Sequence, residues 1–176
     1  MKTGLITILL VVCSTFTWAQ KFGYVDTDYV LSKMPEYQKA QQELEKLSGE
    51  WEEEIQNMII EIEDMHAALK AEEVLLTEEM KAEREEIIAE KETELKDYQK
   101  EMFGYEGLLF LKKQELLKPI LDKIGEAITK VARENRLSIM FDKAADLVML
   151  YTDPRFDYTD FVLDELGLGD PSDVLK

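Results

Sequence analysis

Between Glu36 and Arg136 the chain has one proline, Pro119, and is dense in Glu, Lys, Gln and Leu. Apolar residues recur through it every three or four positions, so it has few options besides long helix. We expect two antiparallel helices, a hairpin arm too thin to hold a globular core of its own. The first helix carries Tyr37, Ala40, Leu44, Leu47, Trp51, Ile55, Met58, Ile62, Met65 and Leu69. Alternating steps of three and four make this a coiled-coil seam. Leu47–Trp51–Ile55 takes two fours in succession, a stutter that locally relaxes a left-handed supercoil, and Gly49 lies inside it.

The tip is expected near 72–78. Val74, Leu75 and Leu76 are consecutive and apolar, so no single helix face can bury them. Thr77 followed by Glu78 and Glu79 is a helix start. One unbroken helix is the alternative. The returning helix carries Met80, Ile87, Leu95, Tyr98, Met102, Tyr105, Leu109, Leu116, Ile120, Ile124, Ala127 and Val131. Arg84 and Lys91 interrupt its seam, so the outer arm is expected to be loosely held. Pro119, lacking an N–H, is expected to kink it. Folding the halves together places Gly49 opposite Gly104, with Gly107 within a turn. Each glycine costs about 1 kcal/mol in a helix interior relative to Ala. The three are candidate hinge residues of a waist crossed by Trp51; the alternative is close helix–helix packing at small residues.

The flanks read as a small β-containing body. Phe22–Val25 is a strand candidate, and Asp26-Thr27-Asp28 can cap a short helix through Tyr29–Leu31. Met34-Pro35 stops that helix. After Arg136 the spacing changes: Leu137–Phe141 and Leu147–Tyr151 read as strands. Asp153-Pro154 is a turn, and a last helix starts at Thr159 or Asp160 and closes at Gly167. The fold class is thus α+β, mostly α, with a body formed by 20–35 and 119–176 and an arm formed by 36–118. So small a sheet leaves open edges, which favours self-association. Phe22, Tyr24, Val25, Ile139, Phe141, Val148 and Leu150 are the candidate oligomerisation residues.

Residues 1–19 read as a cleaved signal peptide, with Lys2, an apolar run from Leu5 to Cys13, and Thr17 and Ala19 before the cut. A membrane anchor would need roughly 20 apolar residues. A lipid-modified Cys13 would want a small residue where Val12 stands. Cys13 is the only cysteine, so the mature chain is expected to lack disulfides and thiol chemistry.

Net charge is −17, which argues against nucleic acid and against an anionic membrane surface. It is unevenly spread: 22 acidic and 8 basic residues lie in 36–101, but 5 acidic and 7 basic in 102–136. Little else points to chemistry. His66 is the only histidine and has no neighbouring ligand residues, whereas a zinc site needs several. Glu52-Glu53-Glu54 is a solvated face, since paired carboxylates catalyse only in a shaped, water-poor pocket. Asp153, Asp157 and Asp160 lack the spacing of a calcium loop. We expect no enzyme activity, cofactor or metal. The informative residues are apolar ones off the seam. Ile59, Ile60, Phe103, Leu108, Phe110 and Leu111, with Val74, Leu75 and Leu76 at the tip, cannot all face the partner helix. All of them except Leu108 are carried forward as candidate contact residues for a binding partner; single exposed apolar residues are also ordinary.

Taken together, the chain resembles the periplasmic chaperones of the Skp/OmpH type over nearly its whole mature length. The likeness lies in F-G-Y-V-D at Phe22–Asp26, the Glu/Lys/Gln-rich hairpin and K-P-I-L-D-K-I at Lys118–Ile124. It continues through I-T-K-V-A-R-E-N at Ile128–Asn135 and D-Y-T-D-F-V-L at Asp157–Leu163. The resemblance implies a periplasmic homotrimer with a β-barrel-like body and three arms enclosing a cavity. Unfolded outer-membrane β-barrel proteins would be held there without ATP. The best-known members are strongly basic and this chain is acidic, which argues against lipopolysaccharide contact. The alternative is a structural or adaptor coiled-coil protein that binds one folded partner.

Overall fold

The computed structural model describes residues 20–145 and 149–169. The expected signal segment, 1–19, and Val148 lie outside them. In chain order come β1 (Phe22–Val25), α1 (Thr27–Lys33), α2 (Pro35–Glu72), a 3-10 turn (Glu73–Leu75) and α3 (Glu78–Phe103). Then follow α4 (Leu108–Glu134), β2 (Ile139–Asp142), a second 3-10 turn (Pro154–Phe156) and α5 (Thr159–Glu165). The protein is mostly helical with a two-stranded sheet. It divides into two compact units, one drawn from the chain up to Lys33 and from Lys123 onward, the other Met34–Asp122.

In the first unit β1 and β2 pair in parallel, Phe22 beside Ile139 and Val25 beside Asp142. A parallel pair needs a crossover connection, and here the connection is the whole arm. On its other side β1 meets Asp157 in a single bridge, with the Tyr158 amide donating to Tyr24 O at 2.8 Å. Polar side chains tie the pieces. Asp26 Oδ1 accepts from the Tyr29 amide (3.0 Å) and caps α1, while Thr27 Oγ1 donates to Asp142 Oδ2 (2.7 Å). The Asp26 amide donates to Thr159 Oγ1 (3.0 Å), and that hydroxyl donates to Asp157 Oδ1 (2.6 Å). Thr159 therefore serves the body rather than capping α5, whose N-cap is Tyr158. Tyr24, Val25, Val30, Ile124, Ala127, Val131, Val162 and Leu163 are buried. Gly23 is needed because the Tyr158 ring lies where a Cβ would go.

The strand expected over Leu147–Tyr151 is absent from its described part: Met149–Tyr151 has no strand structure, and Leu150 and Tyr151 are largely exposed. The strand that follows α4 pairs in parallel with β1 across the arm. Arg136 takes φ 55° where α4 ends, and the Leu137 amide reaches back to Ala132 O at 2.8 Å. This left-handed closing turn usually falls to glycine. Gly167 (φ 73°) ends α5 in the same way, with the Leu168 amide on Leu163 O.

In the second unit the seam of α2 is as expected: Tyr37, Ala40, Leu44, Leu47, Trp51, Ile55, Met58, Ile62, Met65 and Leu69 are all buried or half-buried. Met34 stays extended before Pro35 and starts α2, and Thr77 starts α3, accepting from the Met80 amide at 3.3 Å. The returning limb differs from expectation in two ways. First, its inward residues are Lys81, Arg84, Ile88, Lys91, Leu95, Tyr98 and Met102, an unbroken three-four heptad stripe, whereas Met80 and Ile87 are exposed. Lys and Arg can bury their stems while keeping the charge in water, so a cation holds a seam position that apolar residues one step away do not. Second, the limb is not one helix. It stops at Phe103 and restarts at Leu108, and Tyr105 in the gap is 96% exposed. Gly49 lies inside continuous α2, so only one limb is broken. Pro119 lies within α4 without ending it.

The three glycines are now distinguishable. A Cβ at Gly49 meets open space; one at Gly104 runs into the Lys100 carbonyl; one at Gly107 comes within 2.9 Å of the Glu101 and Met102 carbonyl oxygens. Alanine at the latter two cannot simply stiffen a helix, because the backbone approaches too closely. Gly49→Ala should raise stability by about 0.5–1 kcal/mol, and Gly104→Ala should lower it by roughly 1–3 kcal/mol. Urea unfolding followed by circular dichroism separates the two; equal shifts of one sign would contradict the one-sided break.

Candidate functional site

A hairpin of two helices buries one stripe from each, and whatever apolar surface is left over faces outward. Three contacts fix how the limbs meet. Trp51 packs edge-on against Phe103 with ring centroids 6.1 Å apart. His66 Nε2 lies 3.1 Å from Glu92 Oε1, and Arg84 bridges to Glu72 at 2.9 Å. The lone histidine is thus a link between the limbs.

The seam cations are each tied to a carboxylate. Lys81 Nζ bonds Glu78 (3.0 Å) and Lys91 Nζ bonds Glu94 (2.8 Å). These hydrogen bonds hold both lysines above the usual lysine range, so they stay charged at any pH the arm meets. The two lysine pairs lie within α3 and hold its own side chains, while Arg84–Glu72 and His66–Glu92 link the limbs. Ile62 and Ile88 are the buried apolar residues of the outer seam.

The expected contact residues fall in three places. At the tip, Val74 (91%) and Leu75 (80%) are almost fully exposed and Leu76 is half-buried. On α2, Ile60 is exposed and Ile59 half-buried. Around the glycine break, Phe103, Phe110 and Leu111 are exposed, joined by Tyr105 and Leu108. From Phe110 an apolar stripe continues along α4 through Leu117 and Leu121, bounding a groove of about 500 Å³ flanked by Lys113 and Lys118. Neither Leu117 nor Leu121 is among the contact residues expected from the sequence; Leu117 is half-buried and Leu121 exposed.

The candidate oligomerisation residues divide by exposure. Tyr24 and Val25 are buried within the single chain, while Phe22, Ile139, Phe141 and Leu150 are exposed. Phe22 lies 5.8 Å from Phe156, ring to ring. Among the described residues no cluster of His, Cys, Asp or Glu is arranged to hold a metal. None of their helices is long and apolar enough to cross a membrane.

The family model described as outer membrane protein (OmpH-like) matches residues 21–166. A crystal structure from Caulobacter crescentus CB15, of a candidate outer membrane chaperone (OmpH-like), is similar with a TM-score of 0.67 at 15% identity. The match covers 85% of this chain and 84% of that one. No curated protein matches significantly.

If the residues around the break are surface rather than core, replacing Phe110 and Leu111 together by Ser should change unfolding stability by no more than about 0.5 kcal/mol. Binding of the dye ANS should fall in the same variant. A loss of about 2 kcal/mol or more would instead mean that these side chains are packed.

Proposed function

The chain belongs to the OmpH-like outer membrane protein family, and we propose that it is an ATP-independent periplasmic holding chaperone for unfolded outer-membrane proteins. The observation that carries the reading is the apolar band from Phe103 to Leu121, exposed on an arm that has no core to receive it. Such a surface suits extended, partly apolar chains: many weak contacts hold a client without selecting one folded shape.

The reading includes a homotrimer. In the single chain the outer edge of β2 has no partner strand among the described residues, and Ile139 and Phe141 on that strand leave apolar surface. Strand pairing between copies would satisfy that edge and cover that surface. Three arms rising from one joined body would enclose the client. Gly104–Gly107 is the proposed joint at which one limb of each arm yields to clients of different size, with Gly49 lying across from it in unbroken helix.

The deciding experiment is aggregation of a urea-unfolded outer-membrane β-barrel diluted into buffer without ATP. About one trimer per client should keep it in solution, and several unrelated β-barrels should be protected alike. Failure to protect any of them, with tight capture of one folded protein instead, would establish the adaptor reading. Light scattering of the mature protein should give the mass of a trimer; a monodisperse monomer would rule out the enclosed cavity.

A further inference from the structure

A second, smaller recess lies in the outer arm between the limbs. Met65 and Ala68 of α2 and Arg84, Ile87 and Ile88 of α3 line a half-open hollow of about 240 Å³. Its lining is apolar apart from Arg84, whose guanidinium is held by Glu72 at 2.9 Å and so is turned to a fixed partner. Ala68 is small and exposed beside the seam residues Met65 and Leu69, and Arg84 takes a seam position that an apolar side chain would otherwise fill, which leaves the space open. A cavity of roughly 150 Å³ lined by apolar groups accepts a benzene ring, so this one has room for a single large apolar side chain. It is too small for a typical small-molecule ligand, for which about 300 Å³ is the lower end.

The charge around the hollow narrows the occupant. Asp64 and Glu72 stand one turn either side of Ala68, and Glu83 and Glu90 about one turn either side of Ile87. Glu72 is neutralised by Arg84, and Lys91 by Glu94. Asp64, Glu83 and Glu90 form no ion pair among the described residues. The two segments 61–72 and 80–94 together hold ten carboxylates against four lysines or arginines. The groove along α4 has a border of net positive charge, Lys113 and Lys118 against Asp122.

We propose that this hollow is an anchor site for one leucine- or phenylalanine-sized side chain of a client segment whose neighbouring residues are lysine or arginine. The proposal rests on the holding role above and names the class of segment that the outer arm takes. The apolar hollow supplies the contact energy, and the unpaired carboxylates at its rim exclude acidic flanks and favour basic ones.

The test uses the whole mature protein and three fluorescein-labelled nonapeptides: a central Phe flanked by Lys, the same with Ala for Phe, and the same with Glu for Lys. Anisotropy should show the Lys-flanked Phe peptide binding at least tenfold more tightly than either of the others. Its affinity should fall as salt rises. Ala68→Phe fills the hollow and should weaken binding about tenfold or more. Glu83→Lys with Glu90→Lys leaves the hollow intact and should remove the preference for Lys over Glu flanks. Helix content by circular dichroism verifies that each variant is folded. Equal binding of all three peptides, or full binding by folded Ala68→Phe, overturns the anchor site. So does a change in sedimentation on Ala68→Phe, which would mean that another copy of the chain covers the hollow. Aggregation suppression by the unaltered protein is measured alongside: its absence sinks the chaperone reading itself, whereas its presence without peptide discrimination sinks only the anchor.

Discussion

Two helices packed side by side can hide one narrow stripe each, and most of this protein follows from that limit. The seam from Tyr37 to Leu69 uses the whole allowance of α2, so the remaining faces must be solvated. Glutamate and lysine do this for most positions and also favour helix on their own account. What is left cannot be hidden by any rearrangement of the single arm: Ile60, the Phe103–Leu111 group, Leu121 and the tip stay in contact with water. In a compact domain such residues would be sorted into a core. Here their exposure is built into the architecture and is available for binding.

The same limit makes the outer and inner parts of the arm different materials. Near the break, aromatic side chains cross the seam, Trp51 against Phe103. Toward the tip the limbs are joined by the exposed pairs Arg84–Glu72 and His66–Glu92, beside the half-buried stems of Lys81 and Lys91. Aromatic contacts persist at any salt concentration, while exposed ion pairs are screened. The outer arm is therefore the part whose cohesion depends on its medium, and it is also the part that carries most of the negative charge.

How legible this was in the sequence varied with the physical signal. The α2 stripe could be read residue by residue, because every one of its seam positions is apolar. In α3 the reading slipped by one place, to Met80 instead of Lys81 and to Ile87 instead of Ile88. Hydrophobicity ranks methionine above lysine and ignores the stem that lysine can bury, and it does not separate two adjacent isoleucines. Off-seam exposure of Ile60, Phe103, Phe110 and Leu111 was deducible from spacing alone. The break at Gly104–Gly107 was not, because a glycine inside a helical pattern does not say whether it is packed, bent or capping. Nor was the partner of β1. Composition marks Phe22–Val25 as a strand but does not tell it to pair in parallel with Ile139–Asp142. The hollow at Ala68 depends on how the two limbs are set side by side, which neither limb's sequence specifies alone.

The parallel pairing of β1 with β2 has a consequence for the order of folding. Thr27 and Asp142, joined across the sheet, are 115 positions apart, and drawing together the ends of a free chain that long costs on the order of 4 kcal/mol in loop entropy. The hairpin's own contacts are more local, beginning with Glu72 and Arg84 on either side of the tip. Once the limbs zip toward the root, the ends of the arm arrive together and the remaining closure is short. Nucleation at the far end of the arm is thus the economical route to a body whose first strand, Phe22–Val25, precedes the arm and whose second, Ile139–Asp142, follows it.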